Sequence, residues 1–258
     1  MLLRIIVLLS LIALCPGKSL SATEPQHHPD QVVNALERPF RDGSSDAQVI
    51  RDFEGVFVQE SHLVSLDRTQ RGHGRVAVKF LPADLENPRR TLFSWQYDEP
   101  ERQEIISDGR TLWVYIPENR QVIKSEIDLE AQGRPGDPMS FLTGLGNLSR
   151  DFAMAWAVPQ QDLAGNHVLE LTPRVSSALI QKLVITVDPK AVAASNETQP
   201  ANPVFPLVAV TVFDPSGNTT RIEFHDIQVN RGIETDRFLF TIPDGVEVVR
   251  PAAIVPNP

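Results

Sequence analysis

Cysteine is almost missing from this chain. The one copy, Cys15, lies in the opening stretch, so no disulfide framework can form among the residues that follow. Positive charge is short as well: 33 acids outnumber 24 bases, and the net charge of −9 argues against a general nucleic-acid binder. The apolar run near the start ends after about ten residues, too few to span a bilayer comfortably, where about twenty are needed. Recognisable catalytic contexts are scarce. Asp98, Glu99, Glu101 and Glu104 flank a proline turn, where a solvated loop is the default. Ser107 lacks a G-x-S-x-G setting, and neither His167 nor His225 has a recognisable partner. No enzyme, no cofactor and no metal site is expected. His27-His28 beside a terminus reads as incidental.

What is present suits a globular protein with a real core. The 258 residues are 41% hydrophobic, and the 21 prolines lie mostly between strand-like runs. Residues 1–22 read as a cleaved export signal: Arg4 is the positive head, residues 5–14 are apolar, and Leu20-Ser21-Ala22 can precede cleavage. Loss of Arg4 and Lys18 takes the charge from −9 to −11. An alternative is a lipid anchor on Cys15, against which Leu14 stands where such signals want a small residue. Residues 23–258 are expected to form a single domain.

The chain is organised around residues 92–122. Phe93, Trp95 and Tyr97 alternate with Leu92, Ser94 and Gln96, which puts three aromatics on one face of a strand. Asp98-Glu99-Pro100 ends it, Asp108-Gly109 marks a hairpin, and Trp113 and Tyr115 share a face of the strand that follows. Strands are expected also at 53–66, 75–81, 121–125, 167–172, 182–187, 207–213, 219–229 and 238–241. Asp30 is expected to cap a short helix carrying Val32, Val33 and Leu36, and Asp46 a second one with Val49, Ile50 and Phe53.

Residues 138–152 differ in character. Phe141, Leu145, Leu148 and Phe152 fall on one helical face with Leu142 beside it, while Gly144 and Gly146 each weaken a helix by about 1 kcal/mol relative to alanine. Two readings stay open: an ordinary core helix, or a lid that leaves its packing site at low cost. About eleven strands with short helices make a mainly β (α+β) fold. A sheet that wide must curl or close. Its concave side would be lined by Phe57, Phe93 and Trp95, with the helices as plug. From pattern alone these aromatics, and Trp113, suit an ordinary core equally.

The residues also carry a resemblance. Trp95, Tyr97 and Pro100, followed by Ile106, Ser107-Asp108-Gly109, Leu112-Trp113, Tyr115 and Pro117, resemble the outer-membrane lipoprotein carrier family, LolA. FEGVFVQ at 53–59, PMSFLTG at 138–144 and the C-terminal stretch 218–246 are similar to further segments of that family, in the same order. The resemblance implies an unclosed, strongly curved antiparallel β-barrel with a helical lid over a hydrophobic cavity. It implies a soluble periplasmic monomer that takes lipoproteins from an ATP-driven release complex in the inner membrane. Cargo would then pass to an outer-membrane receptor. Phe57, Phe93, Trp95, Phe141, Leu142 and Leu145 would line the cavity, and Arg89 (or Arg90) would latch the lid of the empty form. A carrier of another lipid, or a lipoprotein-binding sensor, is the alternative on the same fold. Residues 38–45, 128–137 and 191–203 depart from the family pattern.

Overall fold

Alternating apolar and polar residues build a twelve-stranded sheet in the computed structural model, which describes residues 28–41, 48–83, 89–126, 144–195, 197 and 203–250. The strands are β1 (Asp52–Leu63), β2 (Arg68–Leu81), β3 (Arg90–Glu99), β4 (Gln103–Ser107), β5 (Thr111–Ile116) and β6 (Gln121–Glu126). They continue as β7 (Phe152–Gln161), β8 (His167–Pro173), β9 (Lys182–Val187), β10 (Leu207–Phe213), β11 (Thr219–Val229) and β12 (Glu247–Val249). Their order is β12-β6-β5-β4-β3-β2-β1-β11-β10-β9-β8-β7, so β7 and β12 are unjoined edges and the sheet does not close. Every neighbouring pair is antiparallel except β12 on β6. Among the described residues three α-helices accompany it: α1 (Pro29–Glu37), α2 (Leu148–Asp151) and α3 (Pro189–Ser195).

One face of the sheet carries the main core. Phe53 and Phe57 of β1, Val76 and Val78 of β2, and Trp95 of β3 join Leu169, Ile185, Val210 and Phe224 from the other half in a single buried cluster. Val32 and Leu36 of α1, Leu145 and Leu148 before and in α2, and Val192 of α3 belong to the same cluster. The sheet therefore wraps around its apolar face and the helices cover it. On the opposite face the chain after β11 covers part of β2 to β6. Ile233 and Phe238 pack on Ala77 and Leu92. Further on, Phe240 and Val246 pack against Ile106, Trp113 and Val122. Trp113 is thus fixed on the outer face, 6.2 Å from the Phe240 ring.

Two hairpins solve the same turn in the same way. Asp162 and Asp214 each stand four residues before an asparagine and three before a glycine at φ near +85° (Gly165, +85°; Gly217, +86°). In each, Oδ1 accepts from the backbone N–H groups two and four residues on, and Oδ2 accepts from the asparagine amide. The Asn218 side chain, with the backbone amides of 216 to 218, holds the Asp214 carboxyl below its ordinary value against opposing burial. At Asp162 burial pushes up, and the Asn166 bonds and neighbouring amides outweigh it. A depressed carboxylate contributes stability that is fully present above its unfolded value and lost as pH falls through the folded one. Asp214→Ala should therefore lower the urea midpoint at pH 7, and the gap to the parent should narrow below about pH 4. An equal gap at both pH values would show that the carboxylate charge is not what the loop uses.

Several expectations shift. The strands among the described residues number twelve, close to the eleven or so expected, but their identities differ in part. Residues 238–241 form the end of a 3₁₀ turn (Thr235–Phe238) and coil, whereas β7 and β12 are additional. β7 is an edge strand rich in alanine and carries Pro159, a composition with little strand signal. The expected cap of α1 is displaced by two residues: His28 accepts from Asp30 N–H, the Gln31 side chain accepts from His28 N–H, and Pro29 takes the first helical position. Asp46 lies outside the described residues, and Val49 and Ile50 are not helical. The first part of 191–203 is α3, whose Ala191 and Val192 are buried, rather than a loop.

Candidate functional site

Strand β3 lays an aromatic column across the wrapped face. Phe93, Trp95 and Tyr97 stand opposite Val78, Val76 and Gly74 of β2. Phe57 of β1 meets this column with its ring centroid 4.4 Å from Trp95 and, edge-on, 4.9 Å from Tyr97. Gly74 makes the approach possible: a Cβ there would fall 1.8 Å from the Gln96 carbonyl oxygen and 3.0 Å from the Phe57 ring. Polarity changes along the column. Phe57 and Trp95 are fully buried, with Phe224 edge-on to Trp95 at 6.2 Å. One step outward, the Tyr97 hydroxyl donates to Gln59 Oε1 at 2.8 Å. There the sheet opens into a pocket of about 190 Å³ lined by Gln59, Gln70, Arg71, Tyr97, Glu101 and Gln103 among others.

The other end is covered by two short segments fastened to each other. Glu37, in the last turn of α1, is fully buried. Its carboxylate accepts from Ser149 N–H at 2.5 Å, from Ser149 Oγ–H at 3.1 Å, and from the Arg41 guanidinium. Asn147 places no side-chain cap on α2, so Glu37 supplies one from another element. Arg41 Nε also donates to the Gly146 carbonyl at 3.3 Å. Gly146 lies against the Phe40 backbone, where a Cβ would come within 2.6 Å of the carbonyl oxygen. Arg89, just before β3, donates through Nη2 to that same Phe40 oxygen at 2.5 Å and sits 5.6 Å from the Phe80 ring centroid.

Of the residues singled out in the sequence, Phe57, Trp95 and Leu145 meet in the main buried cluster, and Phe93 packs against it half-buried. Phe141 and Leu142 lie outside the described residues. Arg89 reaches the 3₁₀ turn after α1, and it is Arg41 that reaches Gly146 in the 144–151 segment. Arg90 begins β3, and among the described residues its buried Nε has no hydrogen-bond partner. Glu37, Arg41 and Ser149 were not singled out. A signal for Glu37 existed: an acid in the last turn opposes the helix dipole, and it lies three residues before Phe40 on the buried side. Among the described residues, no three His, Cys, Asp or Glu side chains converge as metal ligands.

Comparison with known proteins finds a matching family and similar chains. The family described as "Outer membrane lipoprotein carrier protein LolA" matches residues 48–198. An outer-membrane lipoprotein carrier protein from Bordetella avium is 31% identical over 158 residues, covering 61% of this chain and 66% of the relative, just under two thirds of its length. One from Neisseria meningitidis is 28% identical over 212 residues, covering 80% of this chain and 87% of the relative. Among solved structures, a LolA superfamily protein from Nitrosomonas europaea aligns over 82% of this chain and 97% of its own, with a TM-score of 0.38 and 15% identity. The family match spans more than half of the sequence, and the chain belongs to the outer-membrane lipoprotein carrier family, LolA.

Proposed function

We propose that this protein is a periplasmic carrier that shields the acyl chains of lipoproteins between the inner and outer membranes. The observation that carries the reading is the single apolar cluster inside an unclosed sheet, covered by segments fastened through polar contacts. An acyl chain of about sixteen carbons is worth roughly 13 kcal/mol when buried. A carrier of such cargo needs apolar area and no reactive group. It must also hide that area when empty, because a large exposed apolar patch invites aggregation. Here Leu145 and Leu148 lie fully buried over the interior. Loading then amounts to exchanging these side chains for acyl chains, with the cargo drawing the open population by its preference for it.

On this reading residues 1–22 are removed on export, and residues 23–258 work as one carrier domain, a monomer without catalytic activity. Phe57, Phe93, Trp95 and Leu145, with Phe141 and Leu142, serve to bind the acyl chains, and Arg89 helps hold the lid in place. Cargo arrives from an ATP-driven inner-membrane release complex and leaves to an outer-membrane receptor. The test is transfer. Inner-membrane vesicles holding a triacylated lipoprotein and the release complex are given ATP and the exported protein. Soluble lipoprotein bound to the protein is the expected result. A protein that releases none, yet purifies with another lipid, would replace lipoproteins as the cargo. Phe93→Glu should abolish uptake while the unfolding midpoint stays near that of the parent, because Phe93 is only half-buried at the edge of the cluster. Cooperative loss of folding in that variant would make Phe93 core and remove it from the site.

A further inference from the structure

We propose that the indole N–H of Trp95 is the hydrogen-bond donor for an acyl-ester carbonyl, and so sets the depth at which an acyl chain sits. The proposal rests on the carrier reading and adds a specific polar contact to it. Trp95 is 1% exposed, and among the described residues its buried Nε1 has no acceptor. The rings it meets, Phe57 and Phe224, offer none. Buried donors are nearly always paired, and leaving one unpaired is costly. A phenylalanine would fill apolar space here without that cost. Trp95 thus offers a buried donor to an acceptor that arrives with the ligand.

Position identifies the acceptor. It must enter an apolar interior, so it belongs to an apolar molecule. It must be uncharged, since a bare anion among these rings would be strongly disfavoured. It must also lie between an apolar tail and a polar head. Phe93 and Tyr97 flank Trp95 on the same face of β3, each about 7 Å away along the strand. Phe93 joins the apolar cluster on one side, while Tyr97 and Gln59 open into the amide-lined pocket on the other. Tail, carbonyl and polar head follow in that order in any diacylglyceryl group. The head would sit at Gln59 and Tyr97, and the tail would run past Phe93 toward Leu145.

The experiment compares ester and ether lipids. Affinity of the lipid-free exported protein is measured for a long-chain diacylglyceryl-cysteine peptide and for its dialkyl ether twin, which lacks the carbonyls. A free diacylglycerol and its ether twin form a second arm. The parent should prefer ester to ether by roughly three- to tenfold, the ratio that one neutral hydrogen bond supplies. In Trp95→Phe the ratio should fall to about one, a change that a ring acting only as packing does not produce. Preference in both arms assigns the contact to the glyceryl ester itself, and preference in the peptide arm alone to the lipoprotein. Carbon-13 labelled carbonyls give a readout that does not depend on the variant folding: their infrared band should shift down on binding the parent. Equal affinity for ester and ether in the parent would overturn the proposal and leave the carrier reading standing. Binding of neither lipid would overturn both.

Discussion

In a Gly146→Ala variant, amide hydrogen exchange across residues 144–151 is expected to speed up by roughly 5- to 100-fold, while the sheet amides exchange as before. Local propensity argues the other way, since alanine is the better helix former by about 1 kcal/mol. The opposing effect is steric. An added Cβ would stand 2.6 Å from the Phe40 carbonyl oxygen and 3.0 Å from its carbon, backbone atoms that cannot rotate away. Overpacking of that kind costs about 1–3 kcal/mol, so contact with the Phe40 turn should win over propensity. Displacement would also lengthen the bond from Arg41 to the Gly146 carbonyl. Exchange measured by mass spectrometry on the empty protein checks this. Unchanged or slower exchange at 144–151 would mean that the segment yields without leaving its seat.

The second large effect is on global stability. Phe57→Ala removes a fully buried ring that packs at a tilt on Trp95 and meets Tyr97 edge-on. Large aromatic truncations in cores cost about 3–5 kcal/mol. For a chain of this size that corresponds to a fall in Tm of roughly 6–20 °C. The loss should be cooperative, because Phe57 sits on β1, which is paired on one side with β2 and on the other with β11. Urea unfolding followed by circular dichroism measures it. A Phe57→Ala protein that unfolds like the parent but fails to load cargo would place the ring at a pre-formed cavity wall rather than in the core of the empty form.

The strands of the central meander were legible because period-two alternation, a proline turn and Asp108-Gly109 all marked the same boundaries. Asp108-Gly109 lies in the turn between β4 and β5 as expected, and the Asp108 carboxylate accepts there from the N–H groups of Arg110 and Thr111. Strand β7 was not legible: alanines fit either secondary structure, and its pairing to β8 is fixed by tertiary context. Strand β12 is three residues long and pairs in parallel with β6, an arrangement that no local pattern encodes. At the candidate site, the aromatics followed from alternation and from the family resemblance. The fastening of α1 to the 144–151 segment did not. It depends on Glu37 meeting Ser149, 112 residues away, where a charged side chain reads locally as solvated. Gly146 was read as a helix weakener, whereas its position against Phe40 shows that close backbone approach is what demands it.

The middle of the sheet joins parts of the chain that are far apart. Strand β1 has β2 as a sequence neighbour, but its other partner is β11. The junction is sealed by Asp52, whose carboxylate accepts from the N–H groups of Arg231 and Gly232, the former 179 residues away. Closing loops of that length costs chain entropy before any contact repays it, and high contact order goes with slow folding. Until β11 arrives, β1 presents Phe53 and Phe57 beside an unpaired edge. Such an edge is a template for pairing with other chains. The apolar surface around Phe53 and Phe57 is therefore completed late, and the protein's yield should depend more on how long the open chain waits than on the stability of the finished sheet.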